Sequence, residues 1–398
     1  MRLAVLLLSF CTLAFGQVEP AIAPAQKALN QFLEAFNSGD YARANSFDVT
    51  WRPPTRVTQM EEFRRITGGF TLLRVEKSEP LSISALLEEK YSDPVARLQI
   101  DLMAGDPTRI FSMPFNVIPR PADLPIARMK EAEAIAALSK RADDAAKADL
   151  FSGAVLVARD GKVLLERAWG FADRVRLAMA SPSTKFRLGS MNKMFTAVAI
   201  LQLVDAGKVS LADPIVKYLP DYPNRELAAK VTVRDLLTHT AGMGDIFGPE
   251  FFQNRQTLRE HADYVKLYGA REQEAGAGTF HYSNYGYILL GTIVEKASAM
   301  SYYDYVQKNV FEPAGMASTG SLPENVPVVN RARGYMRRQG SWVSNAGTLP
   351  WRGTAAGGGY STVGDLYRFA TALSSGKLLS KAMLAEATRA QATPPVYG

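Results

Sequence analysis

The feature that most constrains this chain is a serine followed three residues later by a lysine at the head of a long apolar run. The stretch reads Phe186-Arg187-Leu188-Gly189-Ser190-Met191-Asn192-Lys193 and continues through Met194 to Val204. If Ser190 opens a helix, Lys193 lies on the same face, with the two Cβ atoms about 5–6 Å apart. A serine hydroxyl at its ordinary pKa is a weak nucleophile and needs a base beside it. A lysine serves as that base only once it has lost its proton, which burial among apolar neighbours favours. Here Met194, Phe195 and the run Ala197 to Leu201 supply those neighbours. Free N–H groups in a first helical turn also favour negative charge developing at Ser190. Ser190 and Lys193 therefore read as a nucleophile and its proton acceptor.

Ser-x-x-Lys has only two fixed positions, and Ser374-Ser375-Gly376-Lys377 matches it too. That copy follows the apolar run Leu366 to Leu373, where Gly376 reads as a helix stop, so its serine ends a helix. The assignment of Ser190 needs support from other stretches. His281-Tyr282-Ser283-Asn284-Tyr285-Gly286 precedes the apolar helix Ile288 to Lys296. In such a loop Tyr282 offers a phenol for proton transfer, and Asn284 offers an amide for gripping a carbonyl. Tyr222-Pro223-Asn224 has the same spacing but falls in a proline-rich connector, where a buried tyrosine with a satisfied hydroxyl is the plainer reading.

Five stretches occur in a fixed order: FRLGSMNKMFTAVAILQLVDAGKVSLADPI, VTVRDLLTHTAGM, FHYSNYGYILLGTIVEKAS, VFEPAGM and GGGYSTVGDLYRFATAL. Together they resemble the serine β-lactamase/penicillin-binding-protein superfamily, in particular its class C-like branch of β-lactamases, esterases and D-Ala-D-Ala carboxypeptidases. The resemblance covers residues 150–398. It implies an α+β fold in which an antiparallel sheet is flanked by helices beside an all-helical side. It also implies that Ser190 attacks a carbonyl and becomes acylated, and that Lys193 and Tyr282 share the proton traffic. Which of the two is the base stays open. Asn284 would bind a substrate carbonyl or position Lys193, and the Ser190 backbone N–H would be one oxyanion donor. The expected substrate is a small molecule or peptide with an ester or amide bond, with β-lactams and cell-wall D-amino-acid peptides among the options. A catalytically impaired acyl-trapping or binding protein of the same fold is the alternative.

The sequence departs from the family pattern in one respect. The third motif, Lys-Thr-Gly or His-x-Gly, is not found; Arg352-Gly353-Thr354 has the wrong order, and the chain stops at Tyr397-Gly398 near where that strand would begin. The sequence therefore reads as a fragment. Gly357 to Gly359 suits a close backbone approach near the cleft better than a phosphate cradle.

Ahead of this region the chain divides at prolines. Arg2 followed by the apolar stretch Leu3 to Phe15 and then Gly16 has the form of a secretory signal peptide, residues 1–16. The only cysteine, Cys11, lies inside it, so disulfide and thiol chemistry are not expected of the mature chain. The expected location is periplasmic or extracellular, with no integral membrane segment in the mature chain. Residues 17–122 read as a small α+β unit with a helix at Pro24 to Phe36. Strands are expected at Phe70 to Val75, Ile83 to Leu87, Ala96 to Leu102 and Ile110 to Val117. This unit resembles the small cone-shaped nuclear-transport-factor/SnoaL-like domain, and a structural or docking role is expected of it. Residues 123–149 read as a linker and helix, followed by a hairpin that turns at Asp160-Gly161.

The net charge of +7 is spread among acids and forms no nucleic-acid-binding motif. The three histidines, His239, His261 and His281, fit no zinc spacing, and no phosphate loop or dinucleotide fingerprint occurs, so neither metal nor cofactor is expected. His239 is expected to cap the Thr238-His239-Thr240-Ala241-Gly242 turn. Oligomeric state is left open.

Overall fold

In the computed structural model, residues 22–51, 63–64, 66–126, 128–338 and 341–391 are described, and the expected leader lies outside them. The chain divides into two compact units, Met1–Arg128 and Met129–Gly398.

In the first unit, helix α1 (Pro24–Ser38) starts with proline in its first turn, where the missing N–H costs nothing. Ala25, Ala28, Leu29, Phe32, Ala35 and Phe36 form its buried stripe, and Gly39 ends it at φ +68°. Helix α2 (Tyr41–Trp51) follows. Strands β1 (Phe70–Glu79), β2 (Ser82–Glu89), β3 (Val95–Met103), β4 (Asp106–Ser112) and β5 (Phe115–Ile118) make one antiparallel sheet in the order β1-β2-β3-β4, with β5 also on β3. The single strand expected over Ile110 to Val117 is therefore two. Met113-Pro114 separates them, because a proline cannot donate to the ladder. Phe36 stacks on Phe70, and Phe115 meets Phe70 at a tilt, both at centroid distances of 5.0 Å, where helix meets sheet.

The second unit opens with α3 (Glu131–Lys147) and the hairpin β6 (Gly153–Arg159) and β7 (Lys162–Trp169). Its turn is made by Asp160 and Gly161, at φ +50° and +79°, the handedness that a two-residue hairpin requires. Helix α3 packs on β7, and the later helix Val363–Ser374 packs on β6, so this antiparallel pair is flanked by helices.

The helical side is built around one apolar helix. Helix α4 (Lys193–Asp205) buries Phe195, Thr196, Val198, Ala199, Ile200, Leu201 and Leu203, so it is apolar around most of its circumference and sits at the centre of the core. Helix α5 (Val233–Leu237) is capped by Thr232, whose Oγ1 accepts from the Asp235 N–H while Asp235 Oδ2 accepts from the Thr232 N–H. Helix α6 (Asn284–Ser298) packs along α4 and is buried continuously from Asn284 to Val294. Helix α7 (Val363–Ser374) ends in the second Ser-x-x-Lys copy, with Gly376 at φ +75°. That serine does end a helix, as expected. Tyr222 is buried with its hydroxyl 3.2 Å from that of Tyr285, and Asn224 caps a short helix, so the connector's Tyr-x-Asn is structural. Among the described residues no helix is long and apolar enough to cross a membrane.

Candidate active site

The nucleophile stretch is not simply the start of α4. Gly189 to Asn192 form a 3-10 turn, and the α-helix begins at Lys193. In a 3-10 turn the side chains at i and i+3 eclipse, which brings Ser190 and Lys193 face to face more directly than an α-helical turn does. Gly189 holds φ +56°, and a side chain there would meet nothing within 4 Å, so the glycine is required by its backbone conformation and not by crowding. Ser190 is exposed while Lys193 is 7% exposed, so the hydroxyl faces solvent and the amine lies beneath it.

Two short strands bring the glycine run to this turn. Strand β8 (Phe186–Arg187) pairs antiparallel with β9 (Tyr360–Ser361). The pairing lays Gly357 to Gly359 against Gly189, with Gly358 N–H donating to Gly189 O at 3.1 Å and Leu188 N–H to Gly359 O at 3.3 Å. A Cβ on Gly357 would come within 3.3 Å of the Gly189 oxygen. The close backbone approach expected of this run is thus observed beside Ser190.

Just before the glycines, three successive carbonyls are held by one stretch of chain. Asn192 Nδ2 donates to Thr354 O at 2.8 Å, Thr196 Oγ1 donates to Ala355 O at 2.7 Å, and Lys193 Nζ donates to Ala356 O. From the other side, Ala355 N–H donates to Nε2 of the fully buried His261, whose Nδ1 lies 2.9 Å from Glu295 Oε1. An acceptor at Nε2 requires the tautomer protonated at Nδ1, which the Glu295 carboxylate favours.

The four residues singled out from the sequence come together. Lys193 Nζ is 3.3 Å from Ser190 Oγ and 2.7 Å from Asn284 Oδ1, and the Tyr282 hydroxyl donates to Ser190 Oγ at 2.7 Å. Ser283 fixes the start of α6 by accepting from Gly286 N–H, which places Tyr282 and Asn284 on either side of the cap. Burial pushes the Lys193 ammonium down to about 8, and the Asp245 carboxylate opposes that shift. Asp245 itself accepts from Asn284 Nδ2 at 2.8 Å, a contact that no local pattern in the sequence announces.

His239 departs from the expectation. It does not cap its own turn; it bonds across to the Tyr282 loop. Its Nδ1 accepts from Ser283 N–H at 3.2 Å, and its carbonyl accepts from His281 N–H at 2.7 Å. Its ring lies 4.5 Å from that of Tyr282 and 5.1 Å from that of Tyr287. Burial, and secondarily the charge of Lys193, push its imidazolium down to about 4, so it is a neutral wall behind Tyr282 near pH 7. Among the described residues no three His, Cys, Asp or Glu side chains gather as metal ligands.

A family model described as Beta-lactamase matches residues 134–398. The chain belongs to the Beta-lactamase family. Its second unit accordingly has the β-lactamase/transpeptidase-like fold, with helices around antiparallel strands. PbpX of Bacillus subtilis is 32% identical over 234 residues, covering 58% of this chain and 57% of that protein. The chain thus spans less than two-thirds of that relative's length. Among solved structures, a penicillin-binding protein from Bacillus halodurans superposes with a TM-score of 0.56 at 33% identity, covering 62% of this chain and 76% of that one. A D-stereospecific amidohydrolase from Streptomyces sp. superposes with a TM-score of 0.52 at 29% identity, covering 65% and 78%. The first unit, Met1–Arg128, lies ahead of the family match.

Proposed function

We propose that this protein is an exported serine hydrolase that cleaves ester or amide bonds through an acyl-enzyme on Ser190. The observation that carries the proposal is an exposed Ser190 hydroxyl bonded at once to a buried Lys193 amine and to the Tyr282 phenol. Donor counting separates the roles of the two. A neutral lysine amine has two N–H donors and one lone pair. Asn284 Oδ1 and Ala356 O take the two donors, which leaves the lone pair for the Ser190 hydroxyl proton. Lys193 is then the base, and Tyr282, donating to Ser190 Oγ, is the acid side of the relay.

In the first step Ser190 Oγ bonds to the substrate carbonyl carbon as its proton passes to Lys193. The Ser190 backbone N–H supports the developing oxyanion, and the leaving alcohol or amine departs with a proton delivered through Tyr282. Water then attacks the acyl ester by the reverse relay, which releases the acid and regenerates the Ser190 hydroxyl. Family neighbours that include penicillin-binding proteins and a D-stereospecific amidohydrolase support a substrate bearing a D-amino acid or cell-wall-related peptide. The leader-like first 16 residues support export. In the first unit, helices α1 and α2 together with the antiparallel sheet β1 to β5 support its likeness to the nuclear-transport-factor/SnoaL type.

Steady turnover of a p-nitrophenyl ester after the initial burst is the expected result. Release of one equivalent with no turnover afterwards would instead identify an acyl trap. Tyr282→Phe keeps the ring against His239 and removes only the hydroxyl, so turnover should fall about 10²–10³-fold with little change in thermal stability. A variant that turns over at the parent rate would remove Tyr282 from the relay.

A further inference from the structure

We infer that Asp245 is a positioning residue: its carboxylate fixes the Asn284 amide so that Oδ1 faces Lys193, which aims the Lys193 lone pair at Ser190. The inference deepens the proposal above and rests on it for the role of Lys193.

An asparagine amide has nearly the same shape after a half-turn, but its two ends have opposite hydrogen-bonding sense. Lys193 requires an acceptor from Asn284. A flipped amide would point N–H groups at the amine and free one of the Lys193 donors, so the lone pair would no longer be directed to Ser190. A carboxylate accepts only, and Asp245 Oδ1 lies 2.8 Å from Asn284 Nδ2 at the end of the amide away from Lys193. Only one orientation satisfies both neighbours. The second Nδ2 hydrogen is left over for a substrate carbonyl.

Asp245 is itself held in place. Its Oδ1 also accepts from the Ile246 N–H at 2.7 Å. The backbone on either side is fixed from three other elements: Ser283 Oγ donates to Gly244 O at 2.8 Å, Tyr268 OH to Ile246 O at 3.0 Å, and Arg271 Nη1 to Asp245 O at 3.0 Å. The groups facing Lys193 are the rings of Tyr282 and Tyr287 at 4.9 and 5.3 Å, the neutral His239, and Asp245, which supplies the negative charge. The groups near Asp245 are Arg271, bound to its backbone carbonyl, and the Tyr268 phenol. Asp245 thus acts in two ways, orienting the amide and favouring the charged form of Lys193.

Both effects are read by titrating Lys193 directly, with 13Cε-labelled lysine and the Lys193 resonance assigned from its loss in Lys193→Met, beside the pH dependence of Ser190 acylation by a fluorophosphonate. In Asp245→Asn the Lys193 midpoint should fall by about one unit from its parent value, and the plateau acylation rate by about tenfold. Asp245→Glu keeps the charge and should leave the midpoint within about 0.3 unit while lowering the rate. If Asp245→Asn does not fold, Asp245→Ser removes the charge, keeps an acceptor, and carries the same expected shift. A purely structural role would lower the rate at every pH without moving the midpoint, and that result overturns the inference. An adduct on the parent with an unmoved midpoint defeats the inference alone. A moved midpoint with no adduct on the parent defeats the hydrolase reading and leaves the Asp245–Asn284–Lys193 linkage standing.

Discussion

Lys193→Met should slow acylation of Ser190 by about 10²–10⁴-fold, because it removes the base and keeps the volume. In the parent, acylation should rise with pH through about 8, the value to which burial pushes Lys193, and level off above it. Near pH 7 roughly a tenth of the molecules then hold the neutral amine. The rise should be absent from whatever activity the variant retains. The same group leaves a mark on stability. Its folded pKa of about 8 lies below the ordinary 10.5, so between those values the unfolded chain holds a proton that the folded chain has released. Folding stability gained from this group therefore increases as pH rises from about 8 to 10.5, by on the order of 3 kcal/mol. Below about 8 both states are charged and the cost of the buried ammonium is fully present. Chemical denaturation of parent and variant across that range should show this rise as the difference between the two. A parent whose acylation is flat with pH from 6 to 10 would contradict the assignment of Lys193 as base.

Phe195→Ala is the change expected to cost the fold most. Phe195 is fully buried two residues beyond Lys193, with Phe311 and Phe369 edge-on to it at centroid distances of 5.0 and 4.9 Å. Truncation removes the side chain and leaves a cavity whose rigid aromatic walls do not collapse easily, for a loss of about 3–5 kcal/mol. The thermal transition of the second unit should fall by about 10 °C. The damage reaches the site because Asn192, Lys193 and Thr196, which hold the Thr354–Ala356 carbonyls, are at the same end of the core. Acylation should therefore weaken even below the new transition. A change of less than about 1 kcal/mol would mean that α4 is not the centre of the core.

The helices and the pair at the site were legible because their signals are local. The apolar run after Lys193 announced a buried helix, and it is one over Lys193–Asp205. Asp160-Gly161 announced a hairpin, and both residues have the positive φ that the turn needs. Ser190, Lys193, Tyr282 and Asn284 were named from spacing and from the ordered stretches, and they meet in space. What stayed hidden depends on contacts far apart in the chain. Ala356, whose carbonyl holds Lys193, lies in a stretch with no pattern beyond its glycines. Asp245 contacts Asn284 from 39 positions away in the sequence, and it looks like any loop aspartate. His239 reads as a turn cap in the sequence because its neighbours are turn formers. Its partners, Ser283 and the ring of Tyr282, come from another loop, and only folding brings them together. The strand break at Met113-Pro114 shows in the sequence as a proline, but the apolar pattern on both sides of it reads as one strand.

Intact-mass measurement after incubation with a fluorophosphonate, on this chain beside Ser190→Ala, tests directly whether Ser190 is the activated nucleophile. A single covalent adduct is expected on the parent and none on the variant. An adduct of equal extent on both, or on neither, would contradict Ser190 as the activated nucleophile.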